Sequence, residues 1–229
     1  FFKQKTAYES MPSLVGSEMC IRDRCVCSPP PRDKANQQVI WDGLCNGTFQ
    51  IFSSDHAPTR FDDPEGKKLK GKEASFRWIP NGIPGIETRM PLLFSEGVMK
   101  GRIDMHTFVS LTATNPAKMY GLHPKKGTIS VGADADLVIW DDNKEVTISN
   151  DLLHHNVDYT PYEGMAIQGW PDTVISRGEI VFSDGEVLGS QGRGRFVPGT
   201  QPAVAIPTQK SSLGIGFNFK GLSRLFAEN

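Results

Sequence analysis

The chain has 229 residues, 38% of them apolar and 22% charged, with a formal net charge of −1. That length allows one large domain or two small ones, and the ordinary composition speaks against wholesale disorder. A charge near zero removes the electrostatic case for binding nucleic acid or an anionic membrane surface, and no apolar run approaches the roughly 20 residues of a spanning helix.

Residues 1–24 read FFKQKTAYESMPSLVGSEMCIRDR. They carry no sustained helical or strand period and no apolar core of a secretory leader. The string resembles translated adapter read-through from a sequencing library. It is therefore expected to be non-native and is left out of fold reasoning. The four cysteines are Cys20, Cys25, Cys27 and Cys45, all near the start. That is no disulfide framework, so a reducing, cytoplasmic setting is expected. The Cys25-Val26-Cys27 spacing is wrong for a zinc knuckle and lacks a second pair.

Asp33 to Asn46 predicts a helix with Ala35, Val39, Ile40 and Leu44 on one face. Thr48 to Phe52 is a short β-prone run that stops at Ser53-Ser54-Asp55-His56. A strand that gives way at once to polar residues looks like a C-terminal strand end feeding a site. Arg60 to Phe76, with Lys67, Lys68, Lys70 and Lys72, predicts a solvated loop. Gly85 to Lys100 is helical in pattern, with Ile86, Met90, Leu93, Phe94 and Val98 at helical spacing, and Glu87, Arg89 and Glu96 placed for intrahelical pairs. Asp104 to Ala113 and Pro116 to Tyr120 follow as further helices.

After Leu122 the pattern changes. Gly127 to Ile129, Ala135 to Trp140, Val146 to Ile148, Thr173 to Ser176, Glu179 to Phe182 and Glu186 to Leu188 read as short strands. Ser176-Arg177-Gly178-Glu179 and Ser183-Asp184-Gly185-Glu186 read as hairpin turns. Beyond Gly189 the chain is rich in Gly, Pro and Ser and predicts an extended tail, with Phe217, Phe219 and Leu222 near its end as candidates to dock on a neighbouring subunit.

Five segments in order carry a resemblance. They are Ser28-Pro29-Pro30 before a charged helix, Ser53-Ser54-Asp55-His56, Ile79-Pro80-Asn81-Gly82 with the helix from Gly85 through Glu87-Thr88-Arg89 to Val98, Lys125 to Ile129 with Gly132 to Trp140, and Val157-Asp158-Tyr159 with Tyr162 to Met165. Together they resemble the dihydropyrimidinase/hydantoinase family of amidohydrolases. The Pro-Asn-Gly piece is less like allantoinase or dihydroorotase. The resemblance implies an α/β fold, a (β/α)8 barrel beside a β-sandwich. This chain would hold only the last barrel units over residues 25–122 and the C-terminal share of the sandwich over 123–189, with the tail at 190–229.

The activity implied is hydrolytic opening of cyclic amides such as dihydropyrimidines and hydantoins. Two divalent metal ions, zinc by resemblance, make hydroxide available and polarise the carbonyl. A carboxylate passes the proton to the departing nitrogen. By resemblance Asp55 is that carboxylate and also a metal ligand, while Ser28 and Asn81 contact the substrate ring through their backbones. On the residues alone, Asp55 also fits a turn cap, and Ser28 and Asn81 also fit turn chemistry before Pro and Gly. His56 points away from its neighbour's face and reads as structural. His154-His155 reads as a solvated or interface pair, and His106 and His123 as surface residues.

The family's remaining ligands are a His-x-His, a carboxylated lysine and two single histidines. None is matched by the five histidines here, so the chain alone is expected neither to hold zinc tightly nor to turn over substrate. The resemblance also implies a homotetramer. The alternatives are an allantoinase or dihydroorotase-like hydrolase, or a non-catalytic scaffold relative that keeps the fold and loses the ligands.

Overall fold

A computed structural model describes residues 23–31, 34–71 and 75–202. Most of residues 1–24, Cys20, Asp33, Lys72, Phe217, Phe219 and Leu222 therefore lie outside the described residues.

The N-terminal half is helical. A single 3-10 turn, Lys34–Asn36, leads into α1, Gln37–Cys45. Helix α2, Arg89–Leu93, widens into a π turn over Phe94–Met99. Helix α3, Met105–Val109, does the same over Ser110–Thr114 and runs straight into α4, Asn115–Met119. Asp104 starts α3 by accepting the Thr107 N–H at 2.7 Å, which satisfies one of the free amides of the first turn. Pro116 sits in the first turn of α4, where its missing N–H costs nothing.

The C-terminal half is an antiparallel meander of four strands in the order β1-β2-β3-β4. They are β1 Leu137–Thr147, β2 Ala166–Ser176, β3 Glu179–Ser183 and β4 Glu186–Val187. The expected strands Ala135 to Trp140 and Val146 to Ile148 are thus largely one strand. Bulges near Ile139/Trp140 and Asp141/Glu145 break its alternation and hide its continuity in the sequence. Both expected hairpin turns form, with Arg177 and Gly178 at φ 51 and 81, and Asp184 and Gly185 at 54 and 83. Two consecutive positive φ values match the right-handed twist of the flanking strands.

Two clusters fill the interior. Leu44, Leu93, Phe94, Ile103, Phe108 and Leu111 form the first, with Trp41, Phe52, Met90 and Trp140 against them. Trp140 comes from β1 and stacks on Phe94 at 4.5 Å and 7°, while Phe108 meets both edge-on. Offset stacks and edge contacts of this kind add about 1 kcal/mol each beyond area burial. The second cluster is Ile148, Ile167 and Trp170, capped by Leu92, Tyr162 and Met165.

Four expectations are corrected. Thr48 to Phe52 joins no strand, because its backbone groups are taken elsewhere. The Phe52 N–H donates to Leu111 O at 3.1 Å, Asn115 donates to Gln50 O at 3.0 Å and Arg89 to Phe52 O at 2.6 Å. Val39 and Ile40 are not core: they are 65% and 44% exposed, and α1 buries Leu44 instead. Gly127 to Ile129 is a loop, tied down where Thr114 donates to Gly127 O at 2.8 Å and where Lys125 and Lys126 reach Asp134 at 2.6 and 2.9 Å. Lys67 does not belong to a solvated face. It is 2% exposed.

The two halves are joined along one seam. The Asp158 carboxylate accepts the backbone N–H groups of Phe61 and Asp62 at 2.7 and 2.8 Å. Tyr159 donates to Arg24 O at 3.2 Å, and the Gln168 N–H donates to Ser95 Oγ at 3.0 Å. Residues 190–202 form neither helix nor strand, but they are pinned. Arg193 reaches Ser176 O and Glu179 at 2.8 and 3.0 Å, and the Thr200 N–H donates to Gly121 O at 2.8 Å. No helix among the described residues is long and apolar enough to cross a membrane.

His154 sits on the seam, 2.8 Å from Glu87 Oε1 and edge-on to Phe182. The hydrogen bond to Glu87 raises its pKa above the ordinary histidine value. A raised folded-state pKa contributes stability that is full below the unfolded value and lost as pH rises through the folded one. The side chain is 42% exposed, so solvent screening keeps the contribution below about 1 kcal/mol. Replacing His154 by Gln is expected to lower Tm at about pH 5.5 and to make little difference at about pH 8.5, read from melting curves of both proteins. Equal gaps at the two pH values would show that the pair carries no charge-dependent stability.

Candidate active site

Three non-helical segments are joined by backbone hydrogen bonds. The Gly82 N–H donates to Val26 O at 3.0 Å, joining the segment of Asn81 to that of Ser28. The Ala57 N–H donates to Ile83 O at 3.2 Å, and His56 and Ile83 form a parallel bridge, joining the segment of Asn81 to that of Asp55. Gly82 is needed at the crossing. Its φ is +114, and a Cβ there would lie 2.3 Å from Ala57 O. The Ser28–Pro29 peptide is cis.

Ser28, Asp55 and Asn81 are all exposed on the segments so joined. Asp55 adopts φ 44, one of three non-glycine residues with positive φ among those described. Asp tolerates this left-handed geometry better than most residues, and such outliers cluster where function fixes a side chain. The other two, Arg177 and Asp184, are accounted for by hairpin turns. Asp55 also lies close enough to Cys27 to act on its thiol electrostatically. Burial is the main cause that pushes the Cys25 and Cys27 thiols above their ordinary value, which leaves both as neutral packing groups at neutral pH.

His56 is tied to backbone instead. Its Nδ1 accepts the N–H groups of Gly85 and Ile86 at 3.0 and 3.2 Å and so holds the turn that precedes α2. Arg89 was read as a partner within its helix. It reaches instead to Phe52 O, with burial lowering its pKa, and so fixes the chain just ahead of Ser53-Ser54-Asp55. Glu87 pairs with His154, and only Glu96 has the local pairing expected, with Lys100 at 2.6 Å. The bond from Arg89 has no signal in the sequence, because a carbonyl acceptor 37 positions away leaves no spacing rule.

Lys67 is the other residue missed. Its Nζ donates to Val26 O at 3.2 Å and to Pro80 O at 2.9 Å. Burial lowers its pKa, opposed by the nearby Cys25 and Cys27. Lys68, beside it, behaves as the sequence suggests, pairing with Asp62 and lying over the Phe61 ring at 4.1 Å. Composition does not distinguish the two lysines.

Among the described residues, no three His, Cys, Asp or Glu side chains gather as a metal-binding group. Asp55 is one carboxylate, and one carboxylate does not hold a divalent ion against water. The donors described here therefore do not by themselves fit a metal centre.

Helices in the first half and an antiparallel sheet in the second make an α/β architecture. The chain belongs to the amidohydrolase family, which it matches over residues 19–181. The match begins inside the segment expected to be foreign, and Arg24 lies over the Phe61 ring at 4.4 Å. The chain is 49% identical over 172 residues to a D-hydantoinase of Geobacillus stearothermophilus, covering 75% of this chain and 36% of that protein. It is 44% identical over 171 residues to a D-hydantoinase of Rhizobium radiobacter, with the same coverage of each. The structure of the dihydropyrimidinase from Brevibacillus agri is 46% identical and superimposes with a TM-score of 0.75 over 79% of this chain and 38% of that one. The chain thus spans little more than a third of the length of these relatives.

Proposed function

We propose that this chain supplies the late catalytic carboxylate and both ring-gripping segments of a metal-dependent hydrolase that opens cyclic amides of the dihydropyrimidine and hydantoin type. In this reading residues 25–122 are the last units of a (β/α)8 barrel, residues 123–189 a share of a β-sandwich, and the ligands other than Asp55 lie elsewhere in the full-length protein. What supports the reading is that the segments carrying Ser28, Asp55 and Asn81 are hydrogen-bonded to one another, in a chain whose relatives are named hydantoinases and dihydropyrimidinase.

Divalent ions, held in the full-length protein by Asp55 together with ligands outside this chain, would supply activated water and carbonyl polarisation. This chain's residues do the rest. The backbone N–H and C=O groups near Ser28 and Asn81 match the alternating donors and acceptors along a cyclic imide. The Asp55 carboxylate takes the proton of the attacking water and delivers it to the ring nitrogen as the C–N bond breaks. No net proton is lost, and the product is an open-chain ureido acid.

The test is ring opening by the full-length enzyme, or by a chimera in which residues 25–202 replace the matching stretch of the Geobacillus enzyme. Hydrolysis of dihydrouracil and a 5-substituted hydantoin, faster than of allantoin or dihydroorotate, is the expected result. Preference for allantoin or dihydroorotate would move the protein to the neighbouring hydrolase class. A metal-loaded protein that opens none of the four would leave the scaffold reading in its place.

A further inference from the structure

We propose that Lys67 is a positioning residue that sets the width of the substrate cleft by clamping its two ring-gripping segments to each other. The inference rests on the functional reading above. Val26 lies two residues before Ser28, and Pro80 immediately precedes Asn81. One ammonium group holds both carbonyls, at 3.2 and 2.9 Å, and Val26 O also receives the Gly82 N–H. The clamp therefore shares Val26 O with that bond, adds Pro80 O, and joins the same two segments from a third loop. That loop is itself fixed, because Phe61 is buried, its N–H and that of Asp62 go to Asp158, and the Lys67 N–H donates to Arg60 O at 2.9 Å.

A purely structural role would be served better by another side chain. Burying an ammonium is costly, and an apolar side chain of similar length often packs there at no loss in stability. What an apolar side chain does not do is fix the separation of two carbonyls. A lysine nearly closed off from water, donating to one carbonyl on each wall, maintains a distance between walls. Lys67 is buried while Ser28 and Asn81 are exposed, so the clamp does not occupy the substrate surface.

The test compares Lys67→Met with the unsubstituted enzyme, as the metal-loaded full-length protein or the chimera described above. Loosened walls accommodate the larger ring and grip the smaller one less well. KM for a hydantoin is expected to rise about tenfold, with a smaller rise for dihydrouracil, so the dihydrouracil-to-hydantoin ratio of kcat/KM increases. Metal content and kcat per loaded site should stay within about threefold, and Tm should change by only a few degrees. Lys67→Gln keeps one donor, so it should recover part of the KM change, and it carries the test if the Met variant is insoluble. Unchanged KM and unchanged ring preference, with or without a fall in Tm, would overturn the clamp while leaving the function intact. Failure of both variants to fold would overturn it too, since the residue would then serve the fold as a whole. An unsubstituted enzyme that opens neither ring overturns the functional reading, and this inference with it.

Discussion

Replacing Asp55 by Asn should lower kcat for ring opening by about a thousandfold in the full-length enzyme, a loss typical of removing a positioned proton carrier. Asn is the informative change. It tolerates the left-handed backbone that Asp55 adopts at φ 44, so the segment keeps its path while the proton acceptor disappears. Alanine would add backbone strain to the chemical change. The measurement is steady-state hydrolysis of dihydrouracil, paired with metal analysis and a melting curve. A large fall in kcat with an unchanged Tm places Asp55 in the chemistry. Activity within tenfold of the unsubstituted enzyme would return Asp55 to the role of a turn residue.

Replacing Gly82 by Ala should destabilise the protein by at least about 3 kcal/mol, because two separate penalties add. At φ +114 any Cβ is strained, and here it would also lie 2.3 Å from Ala57 O and 2.7 Å from the Ala57 Cβ. Relief requires moving the segment of Asn81 away from that of Asp55, which places the cost at the cleft. A misplacement of about 1 Å there is enough to reduce kcat/KM by about a hundredfold. Urea denaturation and kcat/KM, taken together, check both halves of the expectation. A variant with the stability and activity of the parent would mean that the three segments do not cross as described.

How much of this was legible in the sequence depends on the range of the interactions. The helices from Gly85 to Tyr120 and both hairpins were readable because their signals are local: apolar spacing, the Asp104 cap, Pro116 in a first turn, and Arg-Gly or Asp-Gly where two positive φ values are needed. The π turns at Phe94–Met99 and Ser110–Thr114 are single-residue insertions with no local composition signal, and Ile86, expected on the apolar face, lies before the helix and is exposed. Ser28 and Asn81 were singled out through resemblance, since each alone fits an ordinary turn, whereas Asp55 was also marked by the β-prone run ahead of it, although that run joins no strand. Lys67 and Arg89 were misplaced for one reason. Long cationic side chains read as solvated unless a distant carbonyl claims them, and Val26 O, Pro80 O and Phe52 O became partners only once the chain had folded.

The seam between the helical half and the sheet has an evolutionary consequence. A recombination crossover between Leu122 and Leu137 would trade the sheet as a cassette and orphan several partners at once. Trp140 would leave its place on Phe94, Asp158 would leave the amides of Phe61 and Asp62, and Glu87 would lose His154. Asp158 matters most in such an exchange, because it anchors the loop that carries the buried Lys67. The sheet is therefore not expected to exchange well on its own, and shuffling among relatives should keep residues 25–202 together.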